Sequence, residues 1–544
     1  MRKKPISNHT LNPVRLIAKG HDPMTDRWYR VLEFSDPNGK SRDHIVPFGA
    51  TESDLWKGLG DKGFDIPMSR PQRHKILKDI EAQKPERIIQ VLTRLGWNQE
   101  QFVLPEGVLG VPSSESRVAI TELPKDHYIR TSGTLEEWQQ HVAEPAVGNR
   151  LIQFAISLAF APTLLSLAKM ESGGFNLFAS SSKGKTTTAI VAGSVWGGGG
   201  PKGFAQSWLA TENSWDLLAL RHNDMLLILD ETGLANEGEK RKHEPLFNAA
   251  YRLSQGYRKH RFGDQDQDSV TWRTLFLSTS EKALVDMAVE GGRSLQPGQI
   301  VRFTDIDADA GQGMGTFENI HDSERPDKFA KALDRAANDY YGTPSQHFLK
   351  RLVGRVEQDR QSVEKWIGDR MSFYRKKAHR LVSTETDGRI ADRFALVYAA
   401  GAMTADFKIV PWDRKACLKA VLFAHERAVQ VQSSGPTKLP QILDRLREMQ
   451  AALCPIHVGS KKVPQSSAGY AYTNSRSETE LLFDREQFQA VLPVGVTLDQ
   501  ARQVLNHAGL LNRQKGGKLT VTRNLPNPVG RKRFTSIKAT ALDL

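Results

Sequence analysis

Cysteine is scarce: Cys417 and Cys454 are the two thiols among 544 residues. Two such distant thiols exclude a disulfide framework and a cysteine-rich metal cluster, and they point to a reducing compartment, the cytoplasm. Long apolar runs are scarce as well. The one segment of membrane length, Leu151 to Met170, is interrupted by Gln153, Ser157, Pro162, Ser166 and Lys169, so a buried helix is expected there and no membrane partner. The start, Met1-Arg2-Lys3-Lys4, is basic but no apolar run follows it, unlike a signal peptide. His21, His44, His74 and His127 are scattered without ligand spacing. Acidic residues are outnumbered, 62 against 75 Lys and Arg, and the net charge of +13 favours a polyanionic partner. The length and the 39% hydrophobic content allow about three or four domains with sizeable cores.

What is present centres on Gly173 to Thr188. A short apolar strand runs into Ala179-Ser180-Ser181-Ser182-Lys183-Gly184-Lys185-Thr186-Thr187, where Gly-Lys-Thr opens a helical run. Backbone N–H groups of such a loop and the helix start cradle phosphates, and the helix dipole favours negative charge there. Ser180, Ser181, Ser182, Lys183, Gly184 and Thr187 belong to the expected cradle, Lys185 reaches the β/γ-phosphates and the Thr186 hydroxyl ligates Mg²⁺. The phosphate-loop pattern has glycine at its first position, where this chain has Ala179; a methyl fits there only if φ stays negative.

About 45 residues on, Met225-Leu-Leu-Ile-Leu-Asp230-Glu231 reads as a buried parallel strand with carboxylates at its C-terminal end, where such sheets bind ligands. Asp230 is expected to hold Mg²⁺ through water and Glu231 to polarise the attacking water, so ATP and Mg²⁺ are the expected cofactors. Tyr257-Arg258-Lys259-His260-Arg261, flanked by glycines, mixes cations with aromatics as a nucleic-acid contact does; a solvated charged loop is the alternative. Trp272 to Glu281 reads as a strand ending in hydroxyls, with Ser278 or Ser280 fit to stand between the carboxylates and the γ-phosphate. Arg293 and Arg302 are candidates to stabilise transition-state charge, in a neighbouring subunit's site or otherwise as structural ion pairs. Asp305, Asp307 and Asp309 resemble a cation loop but lack the glycine and distal Glu of the calcium pattern.

Around this centre four regions are expected. Residues 1–133 form an α+β module, with a hairpin turn at Asp36-Pro-Asn-Gly and a helical pattern from Lys75 to Leu95 that Pro85 interrupts. Residues 134–325 form the ATPase core, opened by the capping box Thr134-Leu-Glu-Glu137. Residues 326–435 form an all-α lid, from which Arg393 is placed to reach the nucleotide or an ion pair. Residues 436–544 read as helices followed by a basic two-stranded ribbon, a winged-helix pattern, with Arg531, Lys532 and Arg533 as DNA contacts. A winged helix that docks protein is the alternative there. The fold class is therefore α/β, a parallel-sheet P-loop core with these additions.

Gly-Gly-Phe-Asn-Leu with Ser-Ser-Lys-Gly-Lys-Thr-Thr, Ser207-Trp208-Leu-Ala-Thr211, His222 to Glu231, Gly311-Gln-Gly-Met-Gly315-Thr-Phe-Glu-Asn and Arg393 to Gly401 resemble the family called domain of unknown function 927. The resemblance covers roughly residues 28 to 430. Members are described as superfamily II helicases and inactivated derivatives; they are similar to the AAA+ helicases of superfamily 3 and the minichromosome-maintenance type, and occur on phages, plasmids and chromosomal cassettes. The resemblance implies an oligomeric AAA+-like ATPase, a hexameric ring, acting as a helicase or translocase on single-stranded or forked DNA for mobile-element replication. No primase or zinc-ribbon signature is present, so a separate primase is the implied partner. Two alternatives are an ATP-dependent origin-binding initiator or loader that does not unwind, and an inactive nucleotide-binding scaffold.

Overall fold

The computed structural model describes residues 14–110, 116–118, 128–198, 203–208, 212–230, 244–257, 271–290, 297–382, 384–434, 438–475, 477–493, 496, 498–512, 514 and 519–539. Strands β1 (Arg15–Asp22), β2 (Arg27–Ser35) and β3 (Ser41–Pro47) form an antiparallel meander. Its β2–β3 turn is built by Asp36, whose carboxylate accepts from the N–H groups of Asn38 and Lys40. Helix α1 (Glu52–Asp61) starts at a Thr51/Asp54 capping box, and α2 (Arg70–Ala82) follows. The helical pattern expected to reach Leu95 stops at Ala82. Ile88–Leu92 is a strand, β4, paired parallel with β1. Pro85 bars helix continuation, and β-branched Ile88, Ile89 and Val91 suit a strand, as apolar periodicity alone could not decide. Short strands β5 (Gly96–Asn98), β6 (Gln101–Leu104) and β7 (Gly107–Leu109) make a small sheet, while β8 (Ser116–Val118) extends the first to the order β3-β2-β1-β4-β8.

Helix α3 (Leu135–Trp138) has the expected Thr134/Glu137 capping box and passes through a π-helical turn into α4 (Glu144–Ala146). The apolar segment of membrane length is α5 (Arg150–Phe160), a 3-10 turn and α6 (Leu165–Ala168). Every residue from Leu151 to Phe160 is buried against other helices, as a core helix would be. Next come β9 (Gly173–Phe178), α7 (Lys185–Gly193), β10 (Gln206–Ser207), α8 (Glu212–Arg221), β11 (Leu226–Asp230) and α9 (Glu244–Gln255). The unit closes with β12 (Leu275–Ser280), α10 (Leu284–Glu290), α11 (Pro297–Arg302) and β13 (Phe303–Asp307). The five strands are all parallel in the order β10-β11-β12-β9-β13. Leu226, Ile228, Leu275 and Leu277 face the large core beneath α5 and α7; Leu227, Leu229 and Phe276 face a second core with Trp208 and Trp215. A sheet buried on both faces requires such continuous apolar strands.

Helices α12 (Pro326–Asp339), α13 (Thr343–Lys377), α14 (Glu385–Asp406) and α15 (Arg414–Ser434) follow. α13 breaks at Asp359, whose carboxylate then accepts from Ser362 N–H at 3.0 Å and Ser362 Oγ at 2.6 Å. α14 and α15 pack on α5, and their apolar faces share one continuous core with the α7 side of the sheet. The C-terminal region holds α16 (Lys438–Met449), β14 (Cys454–His457), β15 (Tyr470–Thr473), β16 (Thr479–Phe483), α17 (Arg485–Val491), α18 (Leu498–His507), β17 (Val521–Leu525) and β18 (Gly530–Lys538). The expected two-stranded ribbon is the edge of a five-stranded sheet, β14-β15-β16-β18-β17. The three added strands are four or five residues long and lie among serines, lysines and glycines, so no sustained period announced them.

Candidate nucleotide-binding site

The loop from Ala179 to Gly184 leaves the C-terminal end of β9 and enters α7 at Lys185. Two of its residues, Ser182 (φ 60°) and Gly184 (φ 85°), are left-handed. A Cβ on Gly184 would stand 2.8 Å from the Phe317 ring, so glycine is required twice over, by backbone and by space. Ala179 is not among the positive-φ residues, which removes the objection to its methyl; its N–H donates to Ser280 O at 3.2 Å. Lys185 Nζ donates to Ala179 O at 2.7 Å and to Ser180 O at 2.9 Å, folded across the loop. Burial lowers its pKa, while Glu281 and Asp230 act to raise it. Ser181 Oγ donates to Glu281. Thr187 turns away from the loop and donates to Asp334 of α12.

Asp230 ends β11 and is buried. Thr186 Oγ1 donates to Asp230 Oδ1 at 3.3 Å, and Thr279 Oγ1 donates to the same oxygen. The strand order explains the meeting: β12 lies between β9 and β11 and brings its own end to the gap. Strand alternation then decides which hydroxyl serves. Thr279 shares the α7 side with Asp230, whereas Ser278 points to the other face and accepts from Trp208 Nε1 at 2.9 Å. Ser280 accepts from Asn176 Nδ2 and donates to Lys282 O. Neither serine expected beside the carboxylate is there. Thr279 was legible only as the middle of three hydroxyls, with nothing local to say which faces inward.

A second glycine loop covers the first. Gly311, Gly313 and Gly315 all have positive φ, and Thr316 donates to Lys183 O through both N–H (2.8 Å) and Oγ1 (2.7 Å). A Cβ on Gly315 would lie 2.4 Å from that carbonyl. Lys183 Nζ lies 3.8 Å from Asp309, and Arg427 of α15 bonds Asp307 at 3.1 Å and the Asp309 carbonyl. The cation-loop reading of Asp305, Asp307 and Asp309 therefore fails, because Arg427 and Lys183 take the last two. Asp305 is buried beside Asn176, 2.7 Å away. No cluster of three metal-ligating side chains occurs among the described residues.

Arg302 and Arg393 lie at the opposite end of the sheet from the phosphate loop, since Arg302 precedes β13 and Arg393 packs on Gly173 at the start of β9. Arg393 is fully buried and donates to the Val301 and Ser172 carbonyls; burial lowers its pKa to about 10. It cannot reach a nucleotide in its own loop. Arg302 lies 5.5 Å over the Tyr251 ring and donates to Gly298 O. Tyr257, exposed, bridges Thr271 at the same end of the sheet. Glu231, Arg258, Lys259, Arg261 and Arg293 lie outside the described residues. Arg531, Lys532 and Arg533 are exposed on β18, with Lys532 Nζ 4.0 Å from Asp484. Behind them Arg523 forms a two-pronged pair with Glu480 at 2.7 and 3.0 Å.

Residues 2–267 match the family model described as domain of unknown function, DUF927. The chain carries a DUF927 region. That region includes the phosphate loop and Asp230 but ends before the glycine loop at Gly311 and before Arg393. Among solved structures, an active helicase, the Cch protein of SCCmec type IV, aligns with a TM-score of 0.59 and 17% identity over 99% of this chain and 97% of that one. Its fold is the fold of the present chain, beyond the DUF927 region as well as within it. The apo C-terminal region of NrS-1 aligns at a TM-score of 0.21 and 8% identity, over 75% of this chain and 91% of that one. No curated protein matches.

Proposed function

We propose that the chain is an ATP-dependent DNA helicase or translocase serving the replication of a mobile genetic element. One observation carries this reading: Thr186 and Thr279 converge on Asp230 beside a lysine-bearing phosphate loop. The strand order, with β12 between the phosphate-loop strand and the acidic strand, supports an AAA+-like core. The solved protein that shares the fold is described as an active helicase of an SCCmec element, which supports the same direction. Lys185 binds the β/γ-phosphates, and Ser180 to Gly184 cradle them with backbone N–H groups. The Thr186 hydroxyl and Asp230 carboxylate are hard oxygen donors suited to Mg²⁺, which neutralises charge on the phosphate oxygens when bound. Glu231, next in the chain, polarises the attacking water, and Thr279, rather than Ser278 or Ser280, takes the sensing position. Arg302, remote from its own loop, and Arg293 are assigned to a neighbouring subunit's nucleotide in a hexameric ring. Tyr257, Arg258, Lys259 and Arg261 grip one DNA strand, and Arg531, Lys532 and Arg533 contact DNA from a winged-helix-like domain. A separate primase and a cytoplasmic location complete the reading.

The test is ATP hydrolysis with and without single-stranded DNA, for wild type, Lys185→Ala and Glu231→Gln. DNA-stimulated hydrolysis lost in both variants is expected. Hydrolysis indifferent to DNA would instead favour a loader that uses the exposed β18 cations, and bound but unhydrolysed ATP would leave a scaffold.

A further inference from the structure

The N-terminal sheet has a face that its helices cover in part. Arg30, Leu32 and Phe34 alternate onto one side of β2; Leu32 and Phe34 are buried there under α1. Toward the β1–β2 turn the same side is open. His21 on β1 lies directly opposite Trp28 on β2, and Phe48, just past β3, bonds the Trp28 carbonyl through its N–H at 2.9 Å. The His21 and Trp28 rings are 4.7 Å apart and tilted by 34°; Trp28 and Phe48 are 6.4 Å apart and tilted by 39°. Trp28 is 39% exposed and Phe48 43%. In the next row, Lys19 lies opposite Arg30 on one side and Ile88 on the other, with Ile88 56% exposed. The Arg30 guanidinium sits 5.0 Å over the Phe48 ring and donates to Phe48 O at 3.0 Å. The acid in the patch, Asp26, bonds His21 Nε2 at 2.7 Å.

Exposed Trp28 and Phe48, with half-buried His21 next to them and two cations alongside, fit an occupant that is both flat and anionic. A protein-docking patch is ordinarily depleted of lysine at its centre. Bases stack on aromatic faces whatever their identity, and cations alongside follow the phosphates. We propose that His21, Trp28 and Phe48, with Lys19 and Arg30, form a binding face for single-stranded nucleic acid. This face is separate from the nucleotide site and needs no hydrolysis, so either assignment can fail without the other.

The experiment is anisotropy of labelled oligo(dT) and oligo(rU) with the full chain, without nucleotide, in an Arg531→Ala/Lys532→Ala/Arg533→Ala background that removes the C-terminal contact. Trp28→Ala and Phe48→Ala should each weaken binding at least about fivefold, while Trp28→Phe, which keeps a stacking ring, stays near the parent. Iodouracil-bearing oligonucleotides should crosslink to Trp28 or Phe48, and the better-bound oligonucleotide identifies DNA or RNA as the ligand. Parental affinity in Trp28→Ala/Phe48→Ala for both oligonucleotides would overturn the proposal. Crosslinks confined to other regions would overturn it too, and this readout stands even where the alanine variants do not fold. Loss of self-association with binding unchanged would make the face an interface between copies.

Discussion

Ser278 and Thr279 are neighbours on β12 and face opposite sides of the sheet, one bonded to Trp208 and the other to Asp230. Their expected effects separate accordingly. Thr279→Val removes a hydroxyl bonded to a buried carboxylate and should lower kcat for ATP hydrolysis about 10- to 100-fold, at a cost of about 1–3 kcal/mol in stability. Ser278→Ala should cost about 1 kcal/mol in stability and leave kcat alone; the reverse pattern in steady-state assays would refute the assignment. Asp305 carries a pH prediction. Burial raises its pKa from 3.8 to about 7, against hydrogen bonds from Asn176 and the N–H groups of Leu284 and Val285 that act to lower it. Between about pH 4 and pH 7 the unfolded chain ionises this carboxyl while the folded chain keeps its proton, so stability from this group falls as pH rises through that window. His44, His222 and His425, lowered by burial to about 4, act oppositely and lose stability as pH falls below 6.5. The readout is therefore a difference: denaturation midpoints of wild type relative to Asp305→Asn should be more favourable at pH 5 than at pH 8. A constant difference would refute the buried-acid account.

At the scale of elements, the glycine loop from Asp307 to Thr316 joins the phosphate loop, through Lys183, to α15, through Arg427. Gly315→Ala puts a methyl against the Lys183 carbonyl at a φ of 67°. The left-handed cost alone is about 1–2 kcal/mol. ATP binding should weaken about tenfold or more, measured by calorimetry, while Gly311→Ala, with open space around it, should weaken it less. Elements of this region were legible where their signal is local. The strand into Gly-Lys-Thr, the five apolar residues before Asp230 and the Thr134/Glu137 capping box all lie within one short window. The contact between Thr316 and Lys183 joins positions 133 apart, and no local pattern encodes it. The same reason hid β4, whose apolar residues fit a helix until β1 lay beside them.

Over the whole molecule the net charge is +13, and β18 presents three successive cations, Arg531, Lys532 and Arg533, to solvent. If these meet phosphates, replacing all three with alanine should reduce the slope of log K against log salt by about 2 to 3, since each contact adds about 0.7–0.9. DNA-free ATP hydrolysis should be unchanged. An unaltered slope in titrations from 50 to 200 mM salt would place the DNA contact elsewhere. The N-terminal region is not free of the five-stranded parallel sheet. Asp224, just before β11, takes Arg273 at 2.9 Å and the Trp97 N–H at 3.0 Å, while Arg94 donates to Asn223 at 2.5 Å. Asp224→Ala leaves half-buried Arg94 and Arg273 without that charge and the Trp97 N–H without its acceptor, and should cost about 1–3 kcal/mol in thermal or urea unfolding.

By itself the sequence determined the α/β class, the strand, loop and helix around Gly184-Lys185-Thr186, the acidic strand and the helices after them. Each follows from the chemistry and spacing of neighbouring residues: glycine and lysine before a helix, apolar runs ending in acids, a period of 3.6. Only the tertiary structure decided which hydroxyl meets Asp230, that Arg393 is buried at the far end of the sheet, that a second glycine loop roofs the first, and that His21, Trp28 and Phe48 share one open face. These depend on strand order, facing and register, which are fixed by burial summed over the whole core rather than by any one stretch of chain.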